Sequence, residues 1–145
     1  MYKHLLIATD GSELAQKAVD QGFDLAKALN ARATAIYVTP SWASIISGRP
    51  TFTFPLETYN KQVAEEASKI LSTVEDAAKK NAFKCETVHV IDRFPAQGII
   101  ETANGRGCDL IVMASHGRRG LRRLILGSQA NEVVTQSTIP VLVCR

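Results

Sequence analysis

The chain has 145 residues, of which 46% are hydrophobic and 21% are charged. This composition excludes a disordered or low-complexity protein, and the length predicts one domain spanning residues 1–145. The formal net charge of +3 is too small to indicate a nucleic-acid-binding protein. No stretch approaches the ~18 apolar residues of a membrane span, and the amino terminus lacks a signal-peptide pattern, so we expect a cytoplasmic protein without membrane contact.

The three cysteines are widely spaced and include no Cys-x-x-Cys pair; they are Cys85, Cys108 and Cys144. An odd number with this spacing favours neither a disulfide framework nor a zinc site. We interpret them as small buried or half-buried thiols, and no metal site is predicted.

Five short apolar runs are typical of β-strands. They are residues 4–9, 33–38, 85–91, 109–114 and 140–144. The first, fourth and fifth runs are almost continuously apolar, as strands are when helices cover both faces of a parallel sheet.

The segments between these runs show the spacing of amphipathic helices, most clearly over residues 14–29 and 63–78. Ser12 is placed to cap the first helix, Pro95 can begin the third, and Gly127 and Ser128 lie where a fourth begins. Alternating strands and helices predict an α/β fold with a single doubly wound five-stranded parallel sheet and helices on both faces.

Residues 39–56 are predicted to form one long loop, which contains Trp42, Phe52 and Phe54. Such a length exceeds what a structural connection usually needs. Two interpretations stay open: a functional loop that covers a ligand or a partner surface, and a packed excursion of the chain.

Polar residues follow the predicted strands at the edge where ligands bind in doubly wound sheets. Asp10 follows the first strand, and Val38 ends the second. The Asp10 carboxylate can accept hydrogen bonds from ribose hydroxyls, or it can cap the next helix through an Asx turn. The backbone of Val38 can contact an adenine edge.

A loop rich in glycine and arginine follows the fourth strand. Gly117 and Gly120 flank two arginines, two more follow at Arg122 and Arg123, and Gly127 precedes a helix. Exposed backbone N–H groups and a helix amino terminus attract phosphate. The alternative is a basic, solvated surface loop.

This region resembles the nucleotide signature G-x-x-G-x9-G-[S/T] of the universal stress protein family. The chain has Ala114-Ser115-His116-Gly117, then nine residues, then Gly127-Ser128, so Ala114 replaces the first glycine. The similarity extends from HLLIATDGSELAQKAV to STIPVLVC. It implies a Rossmann-like fold of the adenine nucleotide alpha hydrolase type.

The resemblance also implies ATP, ADP or AMP as the ligand, and leaves open whether Mg²⁺ accompanies the phosphates. It implies Asp10 at the ribose and the Val38 backbone at adenine, with the phosphates at Gly117, Gly127 and Ser128. Because alanine adds only one methyl group, we expect Ala114 to weaken or retain binding rather than abolish it. The predicted binding residues are Thr9, Asp10, Val38, Ala114, Ser115, His116, Gly117, Arg118, Arg119, Gly120, Gly127, Ser128 and Gln129.

The last strand indicates a homodimer, because residues 141–144 would form an exposed apolar edge at the end of a sheet. The resemblance implies pairing through the same strand, residues 140–144. The leading hypothesis is a homodimeric ATP- or AMP-binding module that acts in the stress response through an unknown protein partner.

Two other functions stay open. One is a dimeric interaction protein without nucleotide, in which the arginine loop binds an acidic partner. The other is a slow ATPase or autophosphorylating protein with Ser115 or Ser128 as the acceptor. Neither a lysine directly after the glycine loop nor a carboxylate pair for Mg²⁺ is visible, so no catalytic residue is predicted.

Overall fold

The computed structural model describes residues 1–47, 55–92, 94–118 and 125–145. Its strands are β1 (His4–Ala8), β2 (Arg32–Pro40), β3 (Cys85–Asp92), β4 (Leu110–Ala114) and β5 (Val141–Cys144). Its helices are α1 (Glu13–Leu29), α2 (Trp42–Ile46), α3 (Leu56–Lys80), α4 (Pro95–Gly105) and α5 (Ser128–Gln136). The strands pair in parallel in the order β3-β2-β1-β4-β5, which confirms the predicted doubly wound sheet.

Local sequence signals position the helices as predicted. The Ser12 side chain accepts a hydrogen bond of 3.2 Å from the Ala15 N–H and caps α1. Pro95 begins α4, where its missing N–H costs no helical hydrogen bond. Gly127 is the cap residue of α5.

Two apolar clusters lie on opposite faces of the sheet. On one face, Leu5 and Ile7 of β1 pack in a cluster with Phe23 of α1 and Val74 of α3. On the other face, Leu6 packs in a cluster that includes residues of α4 and α5, such as Ile99 and Val133. Neighbouring residues of β1 therefore contact different layers, which explains why its sequence is continuously apolar.

The strand order reverses at β1, which lies between β2 and β4. Ile7 is in register with Val112, and Ala8 is in register with Ile36. The Thr9 N–H donates a hydrogen bond of 2.9 Å to the Ile36 carbonyl, so the pairing continues to the end of β1. The loops that follow β1 and β4 therefore start side by side at the carboxyl edge of the sheet.

The prediction of one continuous loop over residues 39–56 is wrong. Thr39 and Pro40 extend β2, and the Thr39 hydroxyl lies 2.8 Å from His89 Nε2 of β3. Ser41 then caps the short helix α2, with its hydroxyl accepting from the Ser44 N–H at 3.3 Å, and Leu56 already belongs to α3. Residues 48–54, which include Phe52 and Phe54, lie outside the described residues.

Among the described helices, none combines the length and the apolar character needed to cross a membrane. The longest, α3, carries charged residues along its exposed side, including Glu65, Lys69 and Lys80. The opposite side of the helix contributes its buried apolar residues, as expected for the amphipathic spacing of this segment.

Candidate functional site

Asp10 connects the ends of β1 and β4. One carboxylate oxygen accepts a hydrogen bond of 2.9 Å from the Ser12 N–H, and the other accepts one of 3.0 Å from the Arg118 N–H. The first contact is the Asx turn considered above. Because an ionised carboxylate has about four acceptor sites, these two bonds orient Asp10 and leave capacity for about two more donors.

Two glycines make this junction possible. Gly11 has a φ of +78°, and a Cβ added to it would lie 2.9 Å from the Ile70 side chain. A Cβ added to Gly117 would overlap the Asp10 carboxylate. The second glycine of the signature is therefore required here by the approach of Asp10 to the loop backbone.

Gly127 brings the amino terminus of α5 against the end of β4. Its N–H donates a hydrogen bond of 2.7 Å to the Ser115 carbonyl, and an added Cβ would lie 3.1 Å from His116 Cα. In the described structure no side chain caps α5, so N–H groups of its first turn are available to an anion. Ser128, the first residue of α5, is exposed.

Ala114 causes no backbone strain in this structure. Outside glycine, the described residues with positive φ are Asn30 and Ala82, so Ala114 has an ordinary strand conformation. Its methyl group is buried in the apolar cluster that contains α1. The substitution of the first signature glycine is therefore accommodated by the fold.

Other predicted residues contribute mainly hydrogen bonds within the protein. The Thr9 hydroxyl accepts from the Gly11 N–H at 3.2 Å. Ser115 is buried, and its hydroxyl lies 3.1 Å from His116 Nδ1. The Gln129 side-chain oxygen accepts a hydrogen bond of 3.0 Å from the Ala96 N–H at the start of α4. Gln129 therefore joins α5 to α4.

Val38 was predicted to end the second strand, but it lies two residues before the end of β2 and two residues after Ile36, the last β2 residue in register with β1. Its side chain faces α4, where Cγ1 would lie 3.1 Å from a Cβ added to Gly98. Tyr37 points to the other face, packs with Ala67 and Leu71, and stacks on His89 at 5.9 Å between ring centroids. Burial, followed by the negative charge of a nearby glutamate, raises the pKa of Tyr37.

Arg118 directs its guanidinium away from its own loop. Nη1 lies 2.6 Å from Glu66 Oε1 on α3, in an ion pair whose side chains are 49% and 43% exposed, respectively. The hydrogen bond with Glu66 raises the pKa of Arg118 above its usual value. The predicted residues Arg119 and Gly120, and the neighbouring Arg122 and Arg123, lie outside the described residues.

A cleft of about 650 Å³ lies between the first turns of α1 and the loop after β4. Four predicted residues line it, namely residues 115–118, whereas Asp10, Val38, Gly127 and Ser128 do not. The other lining residues were not among the predicted binding residues; they are Ser12, Glu13, Leu14, Lys17, Ile125, Leu126 and Arg145. Lys17 and Arg145 were recognisable in principle, because α1 starts and β5 ends at the same edge as Gly117.

The fold and the joined strand ends define a doubly wound α/β protein. Residues 1–145 match the sequence profile described as the Universal stress protein family. The universal stress protein MJ0531 of Methanocaldococcus jannaschii is 34% identical over 145 residues, which cover 100% of this chain and 83% of that protein. The chain belongs to the universal stress protein family.

Solved structures share the architecture. Protein MJ0577 of M. jannaschii is 27% identical and gives a TM-score of 0.83, covering 99% of this chain and 96% of that chain. A universal stress protein in complex with cAMP is 24% identical with a TM-score of 0.68, covering 98% and 95%. One from Archaeoglobus fulgidus in complex with dAMP is 17% identical with a TM-score of 0.73, covering 99% and 98%. Because the cAMP and dAMP complexes are less than 25% identical to this chain, their similarity establishes the fold alone.

Proposed function

We propose that this protein binds an adenine nucleotide where the loops after β1 and β4 meet, as part of a stress response. The observation that carries the proposal is the Asp10 carboxylate, which Ser12 and Arg118 N–H groups hold in place at the point where the strand order reverses. An oriented carboxylate with unused acceptor capacity suits a ribose hydroxyl, and this is the position where doubly wound folds bind nucleotides.

The other parts of a nucleotide have matching partners around Asp10. The amino terminus of α5, with Gly127 and Ser128, offers donors to a phosphate. Val38 lies beyond Ile36, the last β2 residue in register with β1, and its backbone is the proposed contact of adenine. The complexes of two fold relatives with cAMP and dAMP support an adenosine phosphate as the ligand class. ATP, ADP and AMP are the candidates, and titrations with and without Mg²⁺ determine whether the metal binds with the phosphates.

Calorimetric titration of ATP and AMP into the wild type and two variants tests the proposal. Gly117→Val places a side chain onto the Asp10 carboxylate, and Ser128→Ala removes a hydroxyl donor. We expect micromolar binding to the wild type, loss of at least about tenfold in affinity for Gly117→Val, and a smaller loss for Ser128→Ala.

Gly105→Val is the matched control, because an added Cβ at Gly105 meets nothing within 4 Å. It should bind nucleotide like the wild type. An absence of heat at millimolar ATP and AMP would disprove nucleotide binding and leave the interaction protein without nucleotide as the better explanation. Equal losses in Gly117→Val and Gly105→Val would show that the effect does not come from Asp10.

The same proposal includes a homodimer formed through β5, acting in the cytoplasm on an unidentified protein partner. β5 is an edge strand of the described sheet, and Leu142 is 40% exposed on it while Val134 of α5 is 45% exposed. A second copy would cover both the strand edge and these side chains. We expect sedimentation equilibrium to give a dimer that Leu142→Glu dissociates.

Leu56→Glu is the control for the dimer, since Leu56 is 48% exposed on α3. It should leave the dimer intact. A monomeric wild type, or a dimer that both substitutions disrupt equally, would contradict pairing through β5.

A further inference from the structure

We infer that Glu66 competes with the nucleotide phosphate for the Arg118 guanidinium, and that it thereby lowers the preference of the site for phosphorylated nucleotides over adenosine. The inference deepens the proposed function and rests on it. It assigns a specificity-determining role to a residue of α3, which contributes no residue to the predicted binding set.

Arg118 is held at the site by its backbone. Its N–H donates a hydrogen bond of 3.0 Å to Asp10, and it directly follows Gly117, where an added Cβ would overlap the same carboxylate. The Arg118 Cα, from which the side chain starts, is therefore held next to the proposed ribose position. A guanidinium starting from this point can reach a phosphate bound at the adjoining loop.

The Arg118 side chain instead turns towards α3. Nη2 lies 3.2 Å from the position of a Cβ on Gly11, and Nη1 bonds to Glu66 Oε1 at 2.6 Å. The side chain thus crosses the turn after β1 and ends on a carboxylate outside that turn. Asp10 and Tyr37 also interact electrostatically with the guanidinium.

Glu66 lies on α3, and the proposed phosphate position lies at the start of α5, on the other face of the sheet. An Arg118 side chain that is turned towards Glu66 is therefore turned away from the phosphate, although carboxylate and phosphate are both good partners of a guanidinium. Both side chains of the pair are partly exposed, and exposed ion pairs are weak enough to exchange. Binding through Arg118 is then possible only in molecules whose pair with Glu66 is open. The apparent affinity equals the intrinsic affinity multiplied by the fraction of such molecules. Adenosine, which has no phosphate, is not subject to this competition.

The test compares Glu66→Gln with Glu65→Gln by calorimetry with adenosine, AMP and ATP. Glu65 is the neighbouring exposed glutamate on α3 and controls for the loss of one negative charge. We expect Glu66→Gln to strengthen AMP and ATP binding about two- to fivefold, the range set by an exposed ion pair, without changing adenosine binding. Glu65→Gln should change neither.

The same titrations in an Arg118→Gln background identify the route of the effect. Glu66→Gln should then have no further effect, because the residue it acts through is absent. An equal gain in that background would indicate a general charge effect and overturn the inference. Weaker nucleotide binding in Glu66→Gln alone would show that Glu66 positions Arg118 for the ligand, and would also overturn it.

Failure of the inference and failure of the proposed function give different results. If adenosine and ATP bind but Glu66→Gln changes neither affinity, the inference alone is wrong. If no protein in the series binds adenosine, AMP or ATP, the proposed function is wrong and the inference falls with it.

Discussion

At each end of the β1–β4 pair, an aspartate carboxylate accepts hydrogen bonds from backbone N–H groups, but the surroundings of the two aspartates differ. At the amino end, the Asp109 carboxylate accepts hydrogen bonds from the Lys3 N–H at 2.8 Å and the His4 N–H at 3.0 Å. At the carboxyl end, Asp10 accepts from the N–H groups of Ser12 and Arg118. A carboxylate that joins two strands through backbone donors is therefore no sign of a binding site by itself.

The surroundings separate the two carboxylates. Next to Asp109, the buried His4 ring bonds to the Thr34 hydroxyl at 2.8 Å, so polar groups there are paired within the protein. Next to Asp10 are Gly117 and the uncapped amino terminus of α5, which leave backbone donors open to a ligand. Function is indicated by the unfilled hydrogen-bonding capacity around the carboxylate, which differs between the two ends.

The largest expected difference concerns two glycines with positive φ, Gly11 at the carboxyl end and Gly107 at the amino end. Gly11→Ala adds a backbone cost and a contact at 2.9 Å with Ile70, whereas a Cβ on Gly107 meets nothing within 4 Å. We expect losses in the free energy of unfolding of about 2–4 kcal/mol for Gly11→Ala and about 1 kcal/mol for Gly107→Ala. Urea unfolding measures both losses. Equal losses would contradict the prediction, because they would mean that the Ile70 side chain moves away from the new methyl group at little cost.

The second comparison separates structure from binding. Asp10→Ala and Asp109→Ala each remove the acceptor of two backbone N–H groups, so each should lower the free energy of unfolding by about 1–2 kcal/mol. Adenosine affinity should fall at least about tenfold in Asp10→Ala and stay unchanged in Asp109→Ala. Calorimetry with adenosine measures these affinities. A loss of affinity in Asp109→Ala alone would place the binding site at the amino end instead of the carboxyl end.

Local signals explain why the fold was largely predictable. Ser12, Pro95 and Gly127 occupy helix starts because capping depends on residues adjacent in sequence. The continuous apolar runs identified the strands covered on both faces. The short helix α2 was missed because Ser41 precedes only a single helical turn, too little for an apolar period to be recognised.

The site was only partly predictable, because its contacts cross between elements. Asp10 and Gly117 are more than a hundred residues apart, so the reason for a glycine at 117 became visible only when the carboxylate was found against it. Glu66 is one of many charged residues on α3, and nothing in its local sequence distinguishes it from Glu65. Gln129 was predicted to bind nucleotide, and the structure adds a contact with α4 that the sequence does not indicate.

The smallest expected effect is the pH dependence of the free energy of unfolding that comes from two histidines, His4 at the amino end and His89 in β3. Burial, aided for His4 by the nearby Arg32 charge, lowers the pKa of His4 from its usual 6.5, and burial alone lowers that of His89. Both rings therefore stay neutral in the folded protein at a pH where the unfolded chain takes up protons. The free energy of unfolding should fall as the pH decreases below about 6.5, and level off once the folded rings also protonate.

Urea unfolding at pH 7.5, 6.5 and 5.5 measures this dependence in the wild type and in His4→Gln and His89→Gln. Each substitution should remove part of the slope, by less than the ~1.4 kcal/mol per pH unit that uptake of one proton gives. Asp109 does not contribute to this pH dependence. Burial raises the pKa of its carboxyl group, but the hydrogen bonds from the His4 and Lys3 N–H groups outweigh burial and keep the pKa below its usual 3.8. We expect the larger change for His4→Gln, because the Arg32 charge adds to burial at His4. Unchanged slopes in both variants would contradict neutral rings.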